Sequence, residues 1–350
     1  MFDLQGHRGA RGLFPENTLE GVQAALRLGV DSFEIDVAVT RDHVPVVHHD
    51  PALNPDLARR DGHWIDAPGP LIRALVLADL AAFDIGRIRP GSAYAQRYAS
   101  QAPHDGARIP TLAAVLSLEA RFNVELKLIP AHPDWTVRPE EMVERVLAVV
   151  DDIGAAGRVT IQSFDWRAPR HVRRIRPEIP RGWLTEAKTI AAASLWRGLA
   201  DAPTLIDAVP EAIAAEGGGT WTPFHTELTP ALLARAQQLG LRVVPWTVND
   251  PADMRRLIEW ASTGSSPTGR IGRWRPVRPV GLTEPLLAPA RLAGGIAGVA
   301  RGLAFVADRL VALGRLDRAP LGVLGVGFLP RLGFRLEPRV FLGLQLGPLG

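Results

Sequence analysis

The sequence predicts an α/β fold, a TIM (β/α)8 barrel whose eighth strand is missing or replaced. Three observations carry this. Up to about residue 260, short apolar runs alternate with amphipathic helical patterns, the signature of βα units around a parallel sheet. One of those runs places two acids on alternate residues, which marks an inward face in a sheet buried on both sides. Seven strand-like runs occur where eight would close a barrel.

The runs lie at 2–6, 32–39, 121–128, 158–162, 181–184, 218–221 and 241–247. Between them, segments 18–28, 139–150, 230–239 and 251–260 space apolar residues three and four apart, as helices do. Pro139, Pro230 and Pro251 stand at helix entries, where a missing N–H costs nothing. Residues 50–108 break the alternation. They are rich in Pro and Gly, hold Tyr94 and Tyr98, and read as an irregular insertion shaping access to the barrel mouth. The barrel is therefore assigned to residues 1–260.

At 350 residues and 47% hydrophobic content, the chain suffices for a barrel core plus extra material. It has no cysteine, so any metal must sit on carboxylates and histidines. The net charge of +3 conceals two halves. Residues 1–260 carry 28 basic and 33 acidic side chains, and residues 261–350 carry 12 arginines against 4 acids. The basic character belongs to the tail, so the barrel is not expected to bind nucleic acid, and membrane contact is expected only through the tail. Apolar stretches are broken before they could span a bilayer, and no secretory signal precedes the first strand. The expected location is cytoplasmic, or periplasmic if an upstream signal has been lost from the gene.

Along 32–39, Phe33, Ile35, Val37 and Val39 share one face, and Glu34 and Asp36 the other. Inward carboxylates are very costly unpaired, and a divalent cation would turn their repulsion into coordination. Residues 121–128 repeat the pattern, with Asn123, Glu125 and Lys127 on one face. Glu34, Asp36 and Glu125 thus form a candidate site for Mg2+ or Ca2+, since an oxygen-only set suits a hard cation. Ion pairs or strand-end surface charges are the competing reading. His7 ends the first strand in Gly6-His7-Arg8-Gly9, and His49 follows an apolar run in His48-His49-Asp50. A lone histidine is more often structural, but two at strand ends beside acids suit proton exchange near neutral pH. Arg8 and Lys127 would suit a phosphate, although Arg8 reads equally as a surface arginine.

Taken together, His7-Arg8-Gly9, Pro15-Glu16-Asn17-Thr18, Glu34-Ile35-Asp36-Val37 and His49-Asp50 resemble, in order and spacing, the N-terminal signature of glycerophosphodiester phosphodiesterases. Glu125-Leu126-Lys127, Gln162-Ser163-Phe164-Asp165 and Trp246-Thr247-Val248-Asn249 resemble that family's later strand motifs, so the likeness covers residues 2–260. It implies a barrel of the phospholipase-C-like phosphodiesterase type that hydrolyses small-molecule glycerophosphodiesters to sn-glycerol 3-phosphate and an alcohol. It implies His7 and His49 as the acid–base pair, and Glu34, Asp36 and Glu125 as ligands of a divalent cation. Arg8 and Lys127 would hold phosphate, and Trp246 would line the glycerol pocket or serve as a core aromatic. His43 departs from the glycine common in the turn before His-Asp. Two alternatives stay open: a lysophospholipase-D-type enzyme, and a catalytically impaired barrel that binds lipid or glycerophosphodiester.

The resemblance stops after Trp260. Residues 261–270 lack apolar alternation and contain Pro267, so they are no strand. Suitable synonymous codons for that run, read with one G restored after the Trp260 codon, spell Gly-Val-Asp-Gly-Ile-Ile-Thr-Asp-Arg-Pro, a sequence of the missing eighth-strand type. Residues 261–350 also lack Lys, Asn, His, Met and Tyr, as an out-of-frame reading of GC-rich DNA would. The tail is therefore expected to be a frameshift product, the competing reading being an amphipathic extension over 284–313. Within it, 321–328 is the most strand-like run.

Overall fold

Alternating side chains build the wall of this protein. The computed structural model describes residues 3–30, 32–200, 202–263 and 304–307. Eight parallel strands run in the order of the chain: β1 (Asp3–His7), β2 (Ser32–Val39), β3 (Phe122–Leu126), β4 (Val159–Ser163), β5 (Arg181–Thr185), β6 (Thr220–Pro223), β7 (Arg242–Val243) and β8 (Ala304–Ala307). Each pairs with the next from β1 to β7, and β8 pairs in parallel with β1, Asp3 opposite Ala304 and Gly6 opposite Ala307. Among the described residues no ladder joins β7 to β8, so the curled sheet stays open along that seam. The eighth position is thus replaced rather than empty. The run 321–328 lies outside the described residues.

Helices follow the strands: α1 (Leu19–Arg27), α2 (Leu112–Leu116), α3 (Pro139–Asp152), α4 (Arg167–Ile175), α5 (Val209–Ala215), α6 (Pro230–Gln238) and α7 (Pro251–Thr263). Thr18 caps α1, accepting the Gly21 N–H at 3.0 Å, and Thr229 caps α6 in the same way. Outward residues of β2 to β4 (Phe33, Ile35, Val37, Val124, Leu126, Ile161) pack on Val22, Val115, Val143, Val146 and Val172 of the covering helices. A second cluster, centred on Trp183, Trp221 and Val243, packs against α5, α6 and α7. Each such side chain contributes roughly 1.5–3 kcal/mol on burial.

The interior is polar. Asp3 accepts hydrogen bonds from Ser32 (2.8 Å), Arg121 (2.8 Å), Gln5 and Arg242, and Asn123 donates to Gln5 at 3.2 Å. These groups fill the barrel floor and leave the opposite end for the motif residues.

The chain does not run directly from β2 to α2. A hairpin returns Pro45–Val47 antiparallel to β2, Val37 opposite Val47. Its turn holds His43 at φ 61°, a left-handed conformation that favours glycine. The histidine stays there with its Nδ1 2.7 Å from Glu141 Oε1. The following insertion, expected to be irregular, carries its own three-stranded antiparallel sheet (Arg59–Arg60, His63–Trp64 and Phe83–Asp84). Leu53, Ile72, Leu80, Phe83 and Ile85 form a third core beneath it with Ala38 and Val46. A small core of this kind is enough to order a Pro/Gly-rich segment whose strands are too short to show a period.

Candidate active site

The turn after β1 is built by two glycines. A Cβ on Gly6 would lie 2.4 Å from the Gly9 carbonyl oxygen, and Gly9 has φ 89°. Between them Arg8 is itself left-handed, at φ 53°, a strain that persists where surrounding contacts over-determine it. The result aims His7 and the Arg8 amide at β2: Arg8 N donates to Glu34 Oε2 at 3.1 Å, and His7 Nε2 lies 3.6 Å from the same oxygen.

Alternation on β2 and β3 brings Glu34, Asp36 and Glu125 together, with one carboxylate oxygen of each within 4.8 Å of the others. All three are buried. Burial, then Asp36 and Glu125, push the Glu34 carboxyl well above its ordinary range. Glu125 is raised as well, chiefly by burial and against the pull of Lys127, whose Nζ lies 2.5 Å from Glu125 Oε1 and 3.5 Å from Asp36 Oδ1. For Asp36 burial is outweighed by the charges of His49, Lys127 and Arg8 and by the Asn17 amide, so its pKa falls. Glu34 Oε1 has no hydrogen-bond partner, and Asp36 Oδ1 makes none either, having only the Lys127 ammonium at ion-pair distance. Three mutually repelling carboxyls, two of them with an oxygen that lacks a hydrogen-bond partner, fit a hard divalent cation, which would use those oxygens and favour their ionised forms.

His49 reaches the site through the hairpin, where the preceding residue, His48, donates its N–H to the Asp36 carbonyl at 2.9 Å. His49 Nδ1 lies 2.6 Å from Asp50 Oδ1. The Asp50 carboxyl is held below its ordinary range: the His49 hydrogen bond and the charges of His49, His48 and Arg8 outweigh burial. A carboxylate only accepts, so Nδ1 of His49 carries the proton and Nε2 keeps its lone pair. Desolvation, with Arg8 and Lys127, pushes the ring's pKa down to about 4, so the ring is neutral at pH 7. At His7 the neighbours impose the opposite tautomer, because Arg11 Nη2 lies 3.1 Å from Nδ1.

Two cavities flank the carboxylates. One is lined by His7, Glu34, Glu125, Gln162, Leu184, Thr222 and Trp246. The other lies between His49, Asp50, Glu16 and Asn17 and the insertion residues Leu57 and Ile85. Trp246 is half-buried. Its indole donates to the Thr222 carbonyl at 2.9 Å and packs between Phe164 (5.4 Å, nearly perpendicular) and Phe224 (5.2 Å). Arg8 is buried too, its Nη1 2.8 Å from Glu16 Oε1 and its Nε 3.3 Å from Asp36 Oδ2.

Several supporting residues were not singled out by sequence reasoning. Asn17 donates to Asp36 Oδ2 at 2.9 Å, and Tyr94 of the insertion donates to Glu16, the partner of Arg8. Asn17 stood inside a quoted motif, and its φ of 53° is one asparagine tolerates. Arg11 and Tyr94 left no local signal, because their partners are distant in sequence. Asp165, within another quoted motif, proves structural: it accepts from the Arg167 backbone and guanidinium at the start of α4.

The arrangement combines an acidic cluster open to cavities, a half-buried lysine and a buried arginine beside it, and two histidines of opposite tautomer. Among solved structures, a Silicibacter pomeroyi protein bearing the glycerophosphoryl diester phosphodiesterase name is 34% identical, over 74% of this chain and 87% of its own, with a TM-score of 0.67. An Oleispira antarctica phosphodiesterase, solved with the product sn-glycerol-3-phosphate, shares the fold at 22% identity and a TM-score of 0.55, over 73% of this chain and 89% of its own. The glycerophosphodiester phosphodiesterase of Bacillus subtilis is 28% identical over 269 residues, covering 74% of this chain and 80% of that one. The family model for glycerophosphoryl diester phosphodiesterases matches residues 7–265. With the match spanning nearly the whole barrel and beginning at His7, the chain belongs to the glycerophosphoryl diester phosphodiesterase family.

Proposed function

We propose that the chain hydrolyses glycerophosphodiesters to sn-glycerol 3-phosphate and an alcohol, using a divalent cation on Glu34, Asp36 and Glu125 and proton exchange by His7 and His49. One observation carries the reading: the three buried carboxylates, two of them with orphaned oxygens, lie beside Lys127 at the cavity that His7 lines. The names of the relatives point the same way, and the product bound in the Oleispira antarctica protein is the one expected here.

When bound, the cation, Mg2+ or Ca2+, supplies Lewis-acid polarisation of a phosphate oxygen and a template for the substrate. Lys127 and Arg8 lie in the same cluster of charge, as counter-charges for the phosphate. One histidine accepts the proton of the attacking hydroxyl, the 2-hydroxyl of the glycerol, and the other protonates the departing alcohol. The cyclic phosphodiester so formed is opened by water, with the two histidines reversing roles. The fixed tautomers direct this traffic through Nε2 of each ring, since Nδ1 faces Arg11 in one case and Asp50 in the other.

The test is release of choline and sn-glycerol 3-phosphate from glycerophosphocholine by the purified chain. Release that stops with chelator and returns with Mg2+ or Ca2+ is expected. Cleavage confined to acylated substrates would favour the lysophospholipase-D-type reading. Binding without any turnover would favour the impaired barrel. Localisation follows no structural signal: among the described residues, no helix is long and apolar enough to cross a membrane.

A further inference from the structure

Exposed apolar side chains are not spread evenly over this barrel. Among the described residues six large ones are exposed, and two of them, Leu28 and Ile175, stand at the C-terminal ends of α1 and α4. The other four, Trp135, Leu195, Leu199 and Leu205, lie in the connections that leave the C-terminal ends of β3 and β5, and Leu205 is 70% exposed. Concentrated apolar exposure of this kind marks a contact surface. Over 189–200, which spans most of two short helices (Ala187–Ala191 and Ala193–Arg197), the only ionisable side chain is Arg197. That residue is 2% exposed, and its Nη1 and Nη2 have no hydrogen-bond partner. Its guanidinium rests 4.4 Å over the Trp166 ring, and among the described residues no carboxylate pairs with it. Nearby arginines differ: Arg167 holds Asp165 at 2.5 Å, and Arg170 holds Glu216 while donating to the Arg197 carbonyl at 3.1 Å. A buried guanidinium is costly without a counter-ion.

We propose that the β5–α5 connection docks the barrel rim on a zwitterionic phospholipid surface, its leucines entering the acyl boundary and Arg197 meeting a lipid phosphate. Leucine and tryptophan favour that boundary, tryptophan at headgroup level, and here Leu195 and Leu199 flank the half-buried Trp196. A guanidinium matches phosphate with two parallel hydrogen bonds, and the two terminal nitrogens of Arg197 are the ones without a partner. Charge selects the class of lipid. Lys188, just before the stretch, is already paired with Glu186 at 2.9 Å, so the segment offers no basic cluster to draw it to an anionic membrane. Free phosphate could meet Arg197 but would leave the leucines in water. The patch continues inward through rings: Trp196 lies 6.2 Å from Phe164, and Phe164 5.4 Å from Trp246, which lines the cavity of His7. This surface belongs to the barrel itself and is independent of any contact through the tail.

The experiment is cosedimentation of the 350-residue chain with sucrose-loaded phosphatidylcholine vesicles over a range of lipid concentration. Binding is expected, with little change on raising the salt or adding phosphatidylserine. Leu195→Asp/Leu199→Asp should weaken it by about 10–100-fold at an unchanged melting temperature, because both side chains are exposed. Arg197→Met should weaken it by about tenfold, and Arg197→Lys should keep part of the affinity. Should Arg197→Met fail to fold, the leucine pair decides. Excess inorganic phosphate should leave the chain on the vesicles. Release by phosphate would assign Arg197 to the free ion and overturn the lipid assignment. Absence of binding by the wild type, or binding that requires phosphatidylserine, would overturn it too. Binding that survives Leu195→Asp/Leu199→Asp would place membrane contact elsewhere in the chain and overturn this surface.

Discussion

Arg11 Nη2 lies 3.1 Å from His7 Nδ1. A guanidinium only donates, so that ring nitrogen is the acceptor, and Nε2 carries the proton on the side of Glu34. Arg11 is held in turn by the insertion: its guanidinium stands 4.7 Å over the Tyr98 ring, and its carbonyl accepts from Gln101 at 2.7 Å. The insertion therefore grips the residue that orients a histidine of the site, and does more than cover the cavity.

Removing this grip should harm turnover more than binding. Arg11→Met is expected to lower kcat by about 10–100-fold with little change in KM. Added guanidinium should restore part of the loss, which a general folding defect would not allow. A fall in KM-limited rates alone would contradict the orienting role.

Cation binding should be visible without turnover. In metal-free protein Glu34 is raised well above its ordinary pKa by burial and its acidic neighbours, so Glu34→Gln removes repulsion and should not lower the melting temperature. The wild type should gain stability with Mg2+ or Ca2+, about 2.7 kcal/mol at a hundredfold excess over Kd. Glu34→Gln should lose that gain and lose activity by orders of magnitude. An equal cation-induced shift in both proteins would place the ion elsewhere.

Two proton-transfer groups imply a rate that falls on both sides of an optimum. His7→Ala and His49→Ala should each remove most of the turnover, while thermal melting changes little. A monotonic pH profile that His49→Ala leaves unaltered would remove His49 from the chemistry.

Acid stability should report Asp3. Burial works to raise its pKa, but Arg242 and Arg121, with hydrogen bonds from Ser32 and Gln5, outweigh it and bring the folded value below the ordinary one. The stabilisation is complete above the unfolded pKa of about 3.9 and disappears as pH drops through the folded value. Asp3→Asn should cost roughly 2 kcal/mol at neutral pH and flatten the loss of stability below pH ~4. Parallel acid-denaturation curves would show that the cluster is energetically neutral.

We infer that residues 261–350 are read out of frame. One G restored after codon 260 should then give a chain with a continuous eighth strand, able to pair with both β7 and β1. That chain is expected to melt higher and to turn over glycerophosphocholine faster than the 350-residue chain. Equal melting and equal turnover would establish the tail as a real structural element.

How far the sequence discloses this protein depends on the distance over which each feature is decided. Strands β2 to β6 were legible to within about two residues, because alternation on a doubly buried sheet is a local property. The acids of β2 and β3 were legible for the same reason: Glu34, Asp36 and Glu125 point where the period sends them. Strand β7, expected over 241–247, forms a ladder only at Arg242–Val243, and among the described residues no strand pairs with its far side. Helix α4 was missed because Pro169 lies inside it and only Ala168, Pro169, His171 and Val172 are buried. A proline in a helix's first turn is tolerated, and no apolar stripe announces the rest. Ala304–Ala307 could not have been singled out in the tail, because only its pairing with β1 distinguishes it.

The ion pair between Asp3 and Arg242 joins β1 to β7, the strands on either side of β8 in barrel order. A complete barrel is a hoop, held in shape by peptide groups that neither titrate nor feel salt. Among the described residues this one is an open hoop with a spoke, and the spoke is made of charge. The spacing of the strands at its floor is therefore set partly by a bond that ions in solution can loosen. Ionic strength becomes a mechanical variable here, as it would not be for a barrel closed by its own backbone.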